Sequence, residues 1–269
     1  MPATSRHEVP VFSTPLIETH CHLDYLKQDT TSAIIAHAHA HGIAKIITIA
    51  VEPENLATVL DLVSAHEQVY GTQGVHPHSA DLYSEAVGTD IAQGAKHPKI
   101  LAIGEIGLDY HYDNSPRAQQ RRAFTAQLDI ALAANLPIVV HTRDADADTM
   151  AIFKEYSGRG LRGVIHSFTS SPELAAFCVE EGFYLGFNGI VSFNKADNVR
   201  AVLAQTPLAR VLLETDAPYL TPVPFRGKEN APFYLPWVAQ KVAEVKGVSI
   251  DEVAETTTAN AQRLFFSSL

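Results

Sequence analysis

The chain has 269 residues, of which 46% are hydrophobic and 19% charged, with 15 Gly and 15 Pro. That length can bury a full core as one large or two small domains, and the composition excludes a disordered, collagen-like or coiled-coil chain. Asp and Glu number 30 against 20 Lys and Arg, a formal net charge of −10, which excludes a surface built for bulk nucleic-acid binding, because such binding rests on neutralising phosphates. Any polyanion must be held locally.

Two cysteines, Cys21 and Cys178, are too few for a disulfide framework, and both are expected to pack as small apolar residues. Met1 to Pro15 is polar and punctuated by Pro, without the basic and apolar regions of a secretory signal, and no apolar run approaches the ~18 residues of a membrane span. A cytoplasmic location without membrane contact is expected, with no obligate protein partner evident. The unusual count is 13 His.

Along the chain, short β-branched runs alternate with longer Ala-rich or amphipathic stretches. The runs predict strands over Leu16 to His20, Lys45 to Val51, Val69 to Val75, Ile100 to Glu105, Pro137 to His141, Gly163 to His166, Phe183 to Phe187 and Arg210 to Glu214. Helices are predicted over Thr31 to His41, Pro53 to His66, Asp81 to His97, Arg117 to Asn135, Asp144 to Tyr156, Pro172 to Glu181 and Ala196 to Gln205. Pro53, Pro116 and Pro172 stand at helix starts, and Gly42 and Gly182 at helix ends. A Pro-rich loop, Ala217 to Pro232, is followed by two more helices ending near Phe266. No linker interrupts the alternation, so residues 16–269 read as one domain behind a polar extension over 1–15. Eight β-then-α units predict a single (β/α)8 TIM-type barrel, since parallel strands need helical crossovers. A doubly wound open sheet is the alternative. The barrel requires its reactive groups to sit at the carboxyl ends of several strands.

That requirement selects a constellation. In Glu18-Thr19-His20-Cys21-His22 the period of two puts Glu18, His20 and His22 on one face. A His-x-His pair alone is equally a polar strand end. Recurrence lifts it: Glu105 ends Ile-Leu-Ala-Ile-Gly-Glu, His141 ends Pro-Ile-Val-Val-His, His166 ends Gly-Val-Ile-His, and Asp216 ends Val-Leu-Leu-Glu-Thr-Asp. Each is an ionisable residue straight after an apolar run, where burial costs several kcal/mol unless the group is paired or metal-bound. Four neutral imidazoles and two carboxylates sum to −2, so two divalent cations leave the site at +2, fit to attract a phosphate or a polarised carbonyl. Imidazole-rich ligation suits Zn or Mn, and carboxylates and water accommodate Mg. By contrast, His37, His39 and His41 lie on a predicted helix where only His37 and His41 share a side, and they read as a solvated face. His66 and His97 sit at helix ends and complement the dipole there.

Several blocks together are also familiar. Thr19-His20-Cys21-His22-Leu23-Asp24, Gly74-Val75-His76-Pro77-His78, Gly104-Glu105-Ile106-Gly107-Leu108-Asp109-Tyr110, His141-Thr142-Arg143, Glu214-Thr215-Asp216-Ala217-Pro218-Tyr219-Leu220 and Arg226-Gly227-Lys228 closely resemble the TatD-family metal-dependent deoxyribonucleases, over residues 16 to 266. The resemblance implies an amidohydrolase-like barrel and gives the metal-ligand roles to His20, His22, Glu105, His141, His166 and Asp216. It places His76 and His78 in substrate contact or behind the ligands. Arg143, Arg226 and Lys228, in loops at the active face, are expected to bind phosphate. The chain departs from the family's pattern in Glu18 where Asp is usual, Ala217 where Ser is common, His166-Ser167-Phe168-Thr169 in place of His-Cys-Phe-Ser, and Glu229 in a loop that is often more basic.

The leading expectation is a deoxyribonuclease, a 3'-5' exonuclease-like enzyme acting on single-stranded or frayed DNA ends through a water activated by two metal ions. Glu105 would bridge or anchor the metals, and Asp216 would bind one metal and accept the water's proton. The same centre could cleave a carbon ester or amide, such as an aminoacyl ester on RNA. A barrel that binds metal without turnover is the third possibility, and the complete ligand set opposes it.

Overall fold

The computed structural model describes residues 8–267; residues 1–7, and with them much of the polar extension, lie outside the described residues. Eight strands run in order: β1 (Leu16–Cys21), β2 (Ile43–Thr48), β3 (Val69–Gln73), β4 (Ile100–Asp109), β5 (Ile138–Arg143), β6 (Gly163–Ile165), β7 (Tyr184–Phe187) and β8 (Val211–Leu213). Each pairs in parallel with the next, so spatial order equals chain order. A doubly wound sheet would reverse direction at a switch point, and this one does not. The seam between β8 and β1 is closed by separate hydrogen bonds: Asp216 N donates to His20 O at 2.9 Å, Thr19 Oγ1 to Leu213 O at 2.9 Å, and Thr215 N to Glu18 Oε1 at 3.0 Å. The fold is a (β/α)8 barrel.

The crossovers are α1 (Thr31–Ala40), α2 (Leu56–Ala65), α3 (Glu85–Gly94), α4 (Arg117–Ala134), α5 (Asp146–Tyr156), α6 (Pro172–Glu180) and α7 (Asp197–Gln205), followed by α8 (Leu235–Lys246) and α9 (Ile250–Phe265). Local chemistry sets their ends. Thr30, Ser84, Ser171 and Ser249 accept the backbone N–H three residues on at the starts of α1, α3, α6 and α9, and Gly42, Gly182 and Gly247 take positive φ where helices stop. The helix predicted over Asp81 to His97 is shorter: a 3-10 segment covers Pro77–Leu82, and α3 begins only after the Ser84 cap. No helix among the described residues is long and apolar enough to cross a membrane.

Two features of the core position the site. Ile17, Leu101, Val139, Val164 and Leu212, each the second residue of its strand, join Tyr184 and the α9 residues Ala261, Leu264 and Phe265 in one buried cluster. This apolar layer closes the amino-terminal end of the barrel. His141 and His166 follow Val139 and Val164 by two residues, so the pleat puts them on the same face one layer higher. Second, β4 does not stop at Glu105 as its sequence predicts. Its pairing with β5 shifts register between Ile103 and Ile106 and then continues to Asp109, a bulge of the kind that re-aims a side chain. Gly107, at φ +140°, permits this, because a Cβ there would collide with the carbonyl oxygen of His141.

Candidate metal centre

His20, on β1, and His22, one residue beyond it, reach across the seam to Asp216, with Nε2 to Oδ1 distances of 3.7 and 3.5 Å. Glu105, re-aimed by the β4 bulge, stands at the centre. Its Oε2 lies 3.3 Å from His20 Nε2, and its Oε1 lies 2.8 Å from His166 Nε2, 3.2 Å from His141 Nδ1 and 3.3 Å from His76 Nε2. Thus the six residues singled out as ligands, from five strands, converge on one place. His76 joins them, in contact with Glu105, where the sequence places it only in substrate contact or behind the ligands.

The donor chemistry fits divalent metal. Groups of three side chains offer ligand atoms within 4.8 Å of one another: His20, His166 and Asp216; His20, His22 and Glu105; His76, Glu105 and His141. Glu105 belongs to two of them. Both ring nitrogens of His20 and of His166 are buried without an acceptable hydrogen bond, although Glu105 lies only 2.8 Å from one of them. Short contacts with poor hydrogen-bond direction are what lone pairs crowded round a common point produce, whereas an imidazole merely packed in a core would be satisfied.

The electrostatics agree. Burial would raise the Glu105 carboxyl, but the imidazoles of His166, His76 and His141 that face it hold it well below the usual range. Burial likewise opposes the anionic form of Asp216, and the His22 hydrogen bond with the neighbouring imidazoles outweighs it, so its pKa is lowered. Burial, reinforced by His166, lowers the pKa of His20, and burial brings His76 down to about 4, which leaves both neutral as ligation requires, whereas the facing carboxylates overcome burial and raise the pKa of His22, His141 and His166. Glu18 is different: burial raises it to about 8, and its Oε1 accepts from His20 N and Thr215 N at 3.0 Å each. It staples the seam and does not enter the cavity.

Behind the ligands stand residues that orient them. His22 Nδ1 lies 3.3 Å from Ile49 O. Glu214 Oε1 accepts from Ser167 N at 2.6 Å and approaches His166 Nδ1 at 3.5 Å; Gly186 leaves room for it, since a Cβ there would strike the carboxylate. Asp109 is fully buried. Its Oδ2 accepts from His141 Nε2 at 2.8 Å and His78 Nε2 at 3.0 Å, while Oδ1 accepts from the backbone of His111 and Tyr112 at 3.0 and 2.8 Å. These bonds turn His141 so that Nδ1 faces Glu105, the carboxylate–histidine pairing typical of metal sites. Asp109 and Glu214 lie within the sequence blocks that carry the family resemblance, but the sequence alone marks neither as functional. The only signal was an acid next to an apolar run, and Asp109 fell outside the predicted strand.

A cavity of about 770 Å³ opens over the centre, lined among others by Tyr25, Glu52, His78, Tyr112, Arg143 and Tyr219. Arg143 is the one cation of the three expected at the active face that lines it. Arg226 and Lys228 are exposed and do not. Their loop folds on itself, with Thr221 Oγ1 donating to Lys228 O at 2.7 Å and Arg226 Nη1 to Thr221 O at 3.2 Å. The Arg226 guanidinium stacks 3.8 Å from the Phe193 ring. Glu229 Oε1 accepts from Lys27 N and Gln28 N at 2.9 and 3.1 Å, tying this loop to the one after β1. On α1, His37 and His41 do share a side, but they pack on Phe233, with ring centroids at 4.1 and 5.9 Å, so that side is partly covered where full solvation was expected.

An eight-stranded parallel barrel with His, Glu and Asp donors at the carboxyl ends of its strands defines the class, an amidohydrolase-like metal-dependent hydrolase. The family model for TatD related DNase matches residues 17–266, and the chain belongs to the TatD family. It is 39% identical over 251 residues to the uncharacterized metal-dependent hydrolase YabD of Bacillus subtilis, covering 93% of this chain and 98% of that protein. It is 34% identical over 241 residues to a protein of Cronobacter turicensis named 3'-5' ssDNA/RNA exonuclease TatD, covering 87% and 91%. Among solved structures, the TatD homologue YJJV of Escherichia coli superposes with a TM-score of 0.87 at 31% identity, over 93% of this chain and 98% of that one.

Proposed function

We propose that this hydrolase cleaves phosphodiester bonds, releasing nucleotides from single-stranded DNA ends with two divalent ions, of Zn, Mn or Mg, held by His20, His22, His76, Glu105, His141, His166 and Asp216. The single observation that carries the reading is Glu105, whose two carboxylate oxygens face separate sets of imidazoles, His20 on one side and His76, His141 and His166 on the other. The exonuclease name of the Cronobacter relative supports it. Metal bound there supplies Lewis acidity toward the phosphoryl oxygens and acidifies water.

The remaining work belongs to side chains. Asp216, anionic because His22 and its neighbours lower its pKa, accepts the proton of the attacking water and returns it to the leaving oxygen. Arg143 presents guanidinium N–H groups to the cavity and binds a phosphate oxygen. Asp109 keeps His141 and His78 oriented throughout.

The test is release of nucleotides from end-labelled single-stranded oligonucleotides with added Mg, Mn or Zn, against chelator controls. Stepwise shortening from the 3' end that chelator abolishes is the expected result. The cavity wall has a single arginine, which also suits a small ester; turnover of aminoacyl-tRNA or a carboxylic ester with no nucleotide release from any oligonucleotide would overturn the nuclease reading.

A further inference from the structure

Arg143 lines a second cavity as well. This one, about 730 Å³, lies beside the first, and the two share Arg143 and Thr169. Its other walls come from His111 and from residues at the starts of α5 and α6, including Asp144, Asp146, Ala147 and Ser170. Arg143 therefore stands on the boundary between two adjoining cavities, together termed the groove. Its guanidinium carbon lies 4.9 Å from the centroid of the Tyr112 ring. No hydrogen bond or ion pair holds that guanidinium among the described residues. By contrast, Arg117, Arg121, Arg159 and Arg200 each pair with an Asp. A half-buried guanidinium fixed over an aromatic face, with its donors unspent, is prepared for a planar or tetrahedral oxyanion.

The second cavity itself has the opposite character. Asp144 pairs with His111 at 3.0 Å, and Asp146 accepts from Ser171 N at 3.0 Å. Each keeps acceptor capacity, and Thr169 and Ser170 add hydroxyls. A phosphate placed inside would meet two carboxylates, while a neutral group rich in N–H and O–H donors would be welcome. We infer that the groove is a two-unit site for a phosphate-linked chain, in which Arg143 grips the phosphate next to the scissile one and the second cavity houses the nucleoside attached to it. Tyr112, 56% exposed with Arg143, His78 and His111 beside its ring, offers its remaining aromatic surface to a base at the boundary. The inference rests on the phosphodiester reading of the same groove and adds a subsite to it.

Binding without turnover tests the subsite separately. The probes are phosphorothioate dinucleotide and trinucleotide, titrated calorimetrically into the metal-loaded protein; the dinucleotide has only the scissile linkage and the trinucleotide adds the neighbouring one. A charge-assisted hydrogen bond of ~1.5–3 kcal/mol corresponds to a roughly 10- to 100-fold tighter trinucleotide. Arg143→Ala should erase that advantage, and Arg143→Lys should keep part of it. Ala147→Trp, at an exposed position that lines only the second cavity, should erase it by filling the subsite while Arg143 remains. An equal affinity of wild type for both probes, or an advantage that survives both Arg143→Ala and Ala147→Trp, overturns the inference. Failure to release nucleotide from any unmodified oligonucleotide would instead strike the phosphodiester reading, leaving the binding result to stand or fall alone.

Discussion

The two ends of the barrel are built from the same eight strands and obey opposite rules. At the amino-terminal end, Ile17, Val139, Val164 and Leu212 meet α9 in a buried layer of hydrophobic side chains. Two residues further along β5 and just beyond β6, the same face carries His141 and His166, and the ligand cluster there holds two carboxylates and five imidazoles in groups whose ligand atoms lie within 4.8 Å of one another. The lower layer lowers the free energy of the fold by burying apolar area. The upper one holds charges that cost several kcal/mol each to desolvate and are tolerated because each faces a partner. Stability and chemistry are thus separated by little more than one pleat.

The separation predicts which measurement each substitution moves. Glu105→Gln keeps the shape but removes the charge on which four imidazoles converge; turnover should fall on the order of 10³-fold, with lower metal content by elemental analysis and little loss in thermal unfolding. A variant that stays active at saturating metal would remove Glu105 from the mechanism. Leu212→Ala, fully buried in the lower layer, should do the reverse and cost about 2–5 kcal/mol in denaturant unfolding. Its activity per folded molecule should persist, and a selective loss of kcat would show that the two ends are coupled.

Asp109→Asn sharpens the comparison because it touches no ligand group directly except through the back of His141. It should weaken metal affinity or turnover by about 10–100-fold, read as a shift in the metal concentration giving half-maximal activity. The smallest effect is expected where histidines lie outside both regions. Replacing His37, His39 and His41 together by Ala should leave metal content and turnover near wild type, with a stability loss under ~1 kcal/mol from the His37 contact with Phe233. Loss of bound metal in that variant would break the assignment of chemistry to the mouth alone.

Much of this was legible in the chain. Alternation of β-branched runs with helical stretches determined eight strands and their order, because parallel strands demand crossovers, and the recurrence of ionisable residues after apolar runs marked His20, His22, Glu105, His141, His166 and Asp216 as one group. These are local signals of period and burial. Tertiary structure decided the rest. The β4 bulge and its continuation to Asp109 depend on pairing with β5, a contact some thirty residues away in sequence that no local period encodes. His76 faces Glu105 only because its strand neighbours β4. Arg226 and Lys228 share a charge type with Arg143 but turn away from the cavity, since their loop satisfies its own carbonyls and aromatic faces. Residue type and spacing determine what a side chain is able to do; which group it meets is settled by elements far off in the chain, and in this protein that difference separates an arginine that lines the cavity from an arginine and a lysine held in their own loop.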